Sequence, residues 1–238
     1  MIGESIVFSI GGSLLYAGGK ADANAVKKIA ASLLSKARKQ RVAACVGGGA
    51  FSKEVAGAVR SVGGSEFLAD KAAVKATHAN AIVLTAALNA LGGTAGGNGR
   101  GLGVVSSSVK AVFCESFSDA AIAFAAGCIP VMGGTIEGIT TDADAVLLAE
   151  AIGARKVVNA SAVGGVYDSN PKTNSGAKLF ARLSYDQLVA LAAKSDSRKA
   201  RTNFVFDLVA SKLAARSRVE VEFVKGIDFK KVETRVKD

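Results

Sequence analysis

The sequence holds no tryptophan, two prolines and a single histidine among 238 residues, and these scarcities narrow what the chain can be. With so little proline, 27 glycines and half of its residues hydrophobic, it reads as a compact body of packed strands and helices joined by tight turns, not a disordered segment. The lone histidine, His78, cannot anchor a metal site by itself, so a structural role on a helix face is expected of it. The three cysteines, Cys45, Cys114 and Cys128, form no CxxC pair and lie in apolar runs, the pattern of a reduced compartment. The longest apolar stretch, around 120–132, contains Pro130 and falls short of the about 20 residues that a bilayer span needs. No basic, apolar leader precedes the first strand, so a cytoplasmic location without membrane partners is expected. Two phosphate fingerprints are missing as well: there is no GxxxxGK[ST] run, and no GxGxxG opens a helix after a strand. The P-loop and dinucleotide readings therefore fail.

Acid is scarce relative to base, and the net charge is +10. A nucleic-acid surface is one explanation. However, Val26, Ile29, Ala30, Leu33, Leu34 and Ala37 repeat at helical spacing, which makes the intervening lysines the solvated face of an amphipathic helix. No aromatic or arginine-rich interleaving accompanies the charge, so no nucleic-acid partner is expected and small anionic substrates fit better.

What the chain does have is an alternation of apolar runs and helical patterns. Strands are expected at 5–10, 42–46, 110–113, 129–132, 156–160 and 219–224. Helices are expected at 24–40, 51–62, 68–91, 119–127, 142–152, 185–193 and 205–215. Strands that are apolar along their whole length and alternate with helices predict an α/β fold, a three-layer α/β/α sandwich around a mostly parallel sheet. One domain covering 1–238 is expected. The stretch 92–103 contains seven glycines and no periodicity, which suits a flexible surface loop, with a functional lid as the alternative.

Sites in such folds lie beyond the carboxyl ends of the strands. Glycine clusters fall at three of those ends: Gly11-Gly12, Gly47-Gly48-Gly49 and Gly133-Gly134. Glycines leading into a helix N-terminus let several backbone N–H groups converge on a phosphate, although each pair alone also serves as a plain tight turn. Three in succession point to a polyphosphate.

These residues also carry a resemblance. The run Ile6-Val7-Phe8-Ser9-Ile10-Gly11-Gly12-Ser13 resembles the opening strand and phosphate loop of the amino acid kinase family, and Val46 to Gly49 resembles its second glycine loop. Pro130 to Thr135, followed by Gly138-Ile139-Thr140-Thr141-Asp142-Ala143, is similar to the archaeal-type UMP kinases in particular. Asp70 with Thr77-His78-Ala79-Asn80, and Gly165-Val166-Tyr167 with Pro171-Lys172, continue the likeness in order.

The resemblance implies transfer of a phosphoryl group from ATP to UMP, with Mg2+ carried in with the ATP and a homo-oligomer, a hexamer, as the assembly. On the donor side it implies Ser9, Gly11, Gly12, Ser13, Gly49 and Lys53 around the phosphates, and Ser161, Tyr167 and Asn170 around the adenine. On the acceptor side it implies Gly48, Asp70, Thr135, Ile136, Glu137, Gly138, Ile139, Thr140 and Thr141, with Asp70 on the ribose hydroxyls. Catalytic roles fall to Gly12, to Asp142 as the acid that orients cationic groups, and to Lys212 as a charge stabiliser. On the residues alone, Asp70 also reads as a solvated acid at a helix start, Asp142 as an acid favoured by the helix dipole, Lys212 as a solvent-exposed lysine and Tyr167 as packing.

The likeness departs from the family pattern at Ser9, Lys53, Ala162, Gly164, Asn170 and Arg201, mostly on the donor side. Two alternatives follow: a kinase of the same fold with another small phosphate acceptor such as isopentenyl phosphate, or a UMP-binding regulatory protein without catalysis.

Overall fold

The computed structural model describes residues 4–93, 109–171, 173–195, 206–227 and 229–238. Residues 94–103 of the glycine-rich stretch, Lys172 and Arg201 lie outside the described residues, while Gly92 and Gly93 close a long helix.

The first strand, β1 (Ser5–Ile10), is apolar at nearly every position because both of its faces are covered. Val7 faces one core; Ile6, Phe8 and Ile10 face the other. After it come a short 3-10 turn (Gly12–Leu15) and a small antiparallel hairpin, β2 (Tyr16–Ala17) with β3 (Lys20–Ala21), which the sequence pattern did not reveal. The next long strand, β4 (Arg41–Val46), repeats the logic, with Ala43 and Cys45 turned to one core and Val42, Ala44 and Val46 to the other. It runs parallel to β1 in a register from Ser5↔Arg41 to Ile10↔Val46. That register brings the glycine turns after both strands to the same edge of the sheet.

Four more expected strand regions become β5 (Ala111–Cys114), β6 (Ile129–Met132), β7 (Lys156–Ser161) and β9 (Glu220–Lys225). Two further strands, β8 (Arg182–Leu183) and β10 (Val232–Val236), complete an eight-stranded sheet in the order β5-β6-β4-β1-β7-β9-β10-β8. All neighbouring pairs are parallel except β9 with β10. Helices α1 (Ala23–Ala37) and α3 (Glu66–Gly93) cover one face, with α2 (Gly49–Ser61) packed on α3. Helices α4 (Phe117–Ala125), α5 (Thr141–Ala151), α6 (Tyr185–Ser195) and α7 (Leu208–Ser217) cover the other. The three-layer α/β/α expectation is met. Among the described residues, no helix is long and apolar enough to cross a membrane.

The strand β10 escaped the sequence pattern because its residues, Val-Glu-Thr-Arg-Val, interleave charge with apolar side chains. It is held by paired charges: the Arg235 guanidinium donates from Nε and Nη2 to the buried Glu222 of β9, at 3.0 and 2.7 Å. It is also held by Thr234, fully buried, whose hydroxyl accepts the Val166 N–H at 3.1 Å and donates to the Phe180 carbonyl at 2.6 Å. Thr234 thus ties both arms of the 166–180 excursion to the sheet. The substitution Thr234→Val keeps the shape and orphans both backbone groups, so it is expected to lower the unfolding free energy by about 1–3 kcal/mol in chemical denaturation.

Candidate active site

The turns after β1 and β4 meet backbone to backbone. A methyl group on Gly12 would lie 2.1 Å from the Gly49 nitrogen, and one on Gly49 would lie 2.5 Å from the Gly12 oxygen. No side chain fits at either position. Gly49 also adopts a φ of +62°, a conformation that glycine takes without strain. Behind the contact, the Asn80 amide of α3 donates to the Gly47 and Gly48 carbonyls at 2.9 and 3.1 Å, and its own oxygen accepts the Tyr16 hydroxyl at 2.7 Å. The second glycine loop is therefore fixed from the helix side, with the Gly47 and Gly48 carbonyls satisfied.

Helix starts leave backbone N–H groups without intrahelical partners, and proteins usually satisfy them with a side-chain cap. Here Asp22 caps α1, Ser65 caps α3, Ser116 caps α4, Thr140 caps α5, Ser184 caps α6 and Asp207 caps α7. The two starts that follow the glycine turns, Gly12 of the 3-10 turn and Gly49 of α2, have no such cap. They are also the two in mutual contact. Two uncapped helix starts held in contact are an arrangement that can serve as an anion cradle.

The third glycine turn, after β6, behaves differently from the sequence expectation. The Gly134 N–H donates to the Thr77 hydroxyl at 2.6 Å, and the Gly134 carbonyl lies 2.7 Å from His78 Nε2. The next N–H, that of Thr135, donates to Asp144 Oδ2 at 3.2 Å. These amides are already used inside the protein, so this turn is built to be held, not to grip a phosphate. Gly133 is small for a packing reason: a methyl on it would fall 2.6 Å from the Thr77 hydroxyl. Since Thr77 also packs against the Gly48 position, all three turns adjoin one region of the sheet edge. His78, on the helix face as expected, has a structural role.

The first turn of α5 joins these parts. Thr141 packs against Gly47, and the Thr140 hydroxyl bonds to Asp207 at the start of α7. Asp142 reaches β1 and β7: its Oδ1 accepts the Ser9 hydroxyl at 2.8 Å and the Asn159 amide at 2.7 Å. Burial, and next the charge of Asp207, push the Asp142 carboxyl up to about 7 in spite of those two bonds. Burial likewise pushes Asp144 up to about 6 against the bonds from Thr135.

Comparison with known proteins places this geometry. A family model described as the amino acid kinase family matches residues 4–224. The chain belongs to the amino acid kinase family. It is 39% identical over 228 residues to the uridylate kinase of Methanocaldococcus jannaschii, covering 93% of this chain and 90% of that protein. To the uridylate kinase of Archaeoglobus fulgidus it is 35% identical over 221 residues, again with 93% and 90% covered. The crystal structure of the Archaeoglobus enzyme superposes with a TM-score of 0.77 at 31% identity, covering 97% of this chain and 99% of that one. A UMP kinase structure from Ureaplasma parvum, at 20% identity, shares the fold with the same score.

Within this amino acid kinase frame, the other expected site residues fall as follows. Asp70 stands half-buried in the second turn of α3, on the helix face that Val74 and Thr77 continue toward the β6 turn. Ile136, Glu137, Gly138 and Ile139 bridge from Thr135 to Thr140, with Ile136 58% exposed. Gly11 packs against Ala160 and Ser161 of β7, so Ser161 adjoins the cradle. The Ser161 hydroxyl accepts the Gly164 N–H at 3.0 Å. Gly164 has a φ of +80° and lies against the Lys225 backbone, which accounts locally for glycine at that departure. Tyr167 is half-buried and bridges to Leu179; the Asn170 carbonyl closes a turn with Thr173 and Asn174. Ser13, which follows Gly12 in the 3-10 turn, Lys53 on α2 and Lys212 on α7 are exposed. Ser9, by contrast, is buried and spends its hydroxyl on Asp142. Sequence reasoning missed Asn80, Asn159, Asp144 and Asp207 as site-building residues. Asn80 stood in the run Thr77-His78-Ala79-Asn80 that carries the resemblance, and Asp144 and Asp207 lay near helix starts.

The acid pair gives a pH prediction. An acid whose folded pKa lies above its unfolded value holds an extra proton in the native state between the two, so stability falls as pH rises through that window. For Asp142 the window runs from about 4 to about 7. Asp142→Asn removes the cost, so it is expected to stabilise the protein at pH 8 by up to about 4 kcal/mol, with the gain vanishing toward pH 4. Urea titrations of both proteins at the two pH values check this.

Proposed function

We propose that the protein is a UMP kinase that works as a single domain, transferring the γ-phosphoryl group of ATP, bound as its Mg2+ complex, to UMP to give UDP and ADP. The observation that carries this reading is the contact between the two uncapped helix starts at Gly12 and Gly49. A donated phosphoryl group needs such a cradle of N–H donors fixed before it arrives. The relatives named above are uridylate kinases, which supports UMP as the acceptor.

The chemistry asks little else of the protein. A UMP phosphate oxygen attacks the γ-phosphorus, the bond to the ADP oxygen breaks, and the acceptor is already an anion, so no general base is needed. The amides of Gly12 and Gly49 gather charge that spreads over the transferring oxygens, while the Gly11 N–H is spent on the Ala160 carbonyl at 2.8 Å. Asp142, between Ser9 and Asn159, holds cationic groups of the complex, and their arrival favours its ionised form. Mg2+ would enter on ATP, since that ion is seldom held by a full cage of protein ligands. The loop 135–141 and Asp70 receive UMP, and Ser161, Tyr167 and Asn170 border the adenine. Lys53 and Lys212, exposed on α2 and α7, supply positive charge once substrates are in place. A cytoplasmic homo-oligomer, a hexamer, is the assembly we propose, with the exposed Phe67, Leu68, Ile82 and Val83 of α3 available to cover.

The test measures ADP release by purified protein with Mg2+, ATP and each nucleoside monophosphate, with isopentenyl phosphate as a further acceptor. UMP is expected to be the preferred acceptor. Calorimetric binding of UMP with no UDP formed would favour a regulatory protein, and turnover confined to isopentenyl phosphate would favour the other kinase. Light scattering of the same preparation reports the assembly, and a monomer would remove that part of the reading.

A further inference from the structure

The first turn of α5 carries a second buried acid that the phosphate cradle does not require. Asp144 has no solvent exposure, and no Lys, Arg or His side chain pairs with it among the described residues. Its side chain serves one residue: Oδ1 accepts the Thr135 hydroxyl at 2.6 Å, and Oδ2 accepts the Thr135 N–H at 3.2 Å. A carboxylate buried without a cation is costly, so such a group is kept where its hydrogen bonds fix something of use.

What they fix is one end of the loop that leads to α5. The other end is held from the same turn: the Thr140 carbonyl accepts the Asp144 N–H at 3.0 Å, and the Thr140 hydroxyl accepts the Ala143 N–H at 3.3 Å. Asp144 therefore binds Thr135 through its side chain and Thr140 through its main chain. Only 136–139 remain as the span between them, with Gly138 at a φ of +83°. Asp142, two positions earlier, faces β1 and β7 instead. The two acids divide the work of one helical turn.

We propose that Asp144 is a positioning residue that sets acceptor affinity, closing the loop 135–140 into the shape that receives the nucleoside monophosphate. This rests on the UMP kinase reading. A merely structural acid would affect stability without telling the two substrates apart, whereas a residue acting through Thr135 changes the acceptor side selectively.

The experiment compares wild type, Asp144→Ala and Asp144→Asn by steady-state kinetics, varying UMP and ATP separately, and by calorimetric titration with UMP. In Asp144→Ala the KM for UMP is expected to rise ~10-fold or more, with the KM for ATP within about twofold. Asp144→Asn, whose amide oxygen can still accept one Thr135 bond, should recover part of the loss. If the alanine variant does not fold, the asparagine variant in a double-mutant cycle with Thr135→Val decides: the two effects should be clearly less than additive. Equal rises in both KM values, additive effects in the cycle, or a lower thermal midpoint with unchanged KM values would overturn the proposal. Absence of UMP turnover in the wild type would overturn the reading beneath it. In that case calorimetry still tests Asp144, because UMP affinity should fall in the variants.

Discussion

Two peptide segments approach more closely here than any side chain would allow, and the site depends on that approach. It follows from the parallel register of β1 and β4, which delivers Gly12 and Gly49 to the same edge at the same height. The result concentrates N–H groups without solvent-exposed side chains in the way, and the six capped helices show how unusual the two uncapped starts are in this chain. Adding one methyl group at either glycine would push the turns apart, so the cradle and the sheet register stand or fall together.

Around this contact, α5 acts as a central tie. One helical turn reaches β1 and β7 through Asp142, β4 through Thr141, the β6 turn through Asp144 and α7 through Thr140. Its acids are crowded and lack cations, and burial outweighs the hydrogen bonds that favour their charged forms. Among the described residues no cation pairs with Asp142 or Asp144, and under the function proposed above a metal-bound polyphosphate would bring positive charge to them.

Much of this was legible in the sequence. Apolar runs such as Ile6 to Phe8 and Val42 to Val46 announced strands covered on both faces, and glycines at their ends announced the turns. What could not be read was which backbone donors are spent internally. Gly133-Gly134 looks like the other glycine pairs in sequence. Only the fold brings Thr77, His78 and Asp144, from residues far away or on another element, to occupy those peptide groups. The strands β8 and β10 were hidden for a different reason. β8 has two residues, and β10 alternates charge with apolar side chains, relying on Glu222 and Thr234 instead of hydrophobic continuity. The departures at Ser9 and Gly164 also look different in three dimensions, since each is matched to its neighbour: Ser9 to Asp142, and Gly164 to the Lys225 backbone.

The excursion 166–180 hangs on Thr234 and the outermost strands, while the acceptor loop hangs on α3 and α5, and the two sets of supports share no residue. Under the function proposed above, substitutions along β10 would reshape the segment assigned to the adenine and leave the loop assigned to UMP standing. A lineage built on this plan could change its choice of phosphoryl donor by drift at the sheet margin, without passing through forms that have lost their grip on the acceptor.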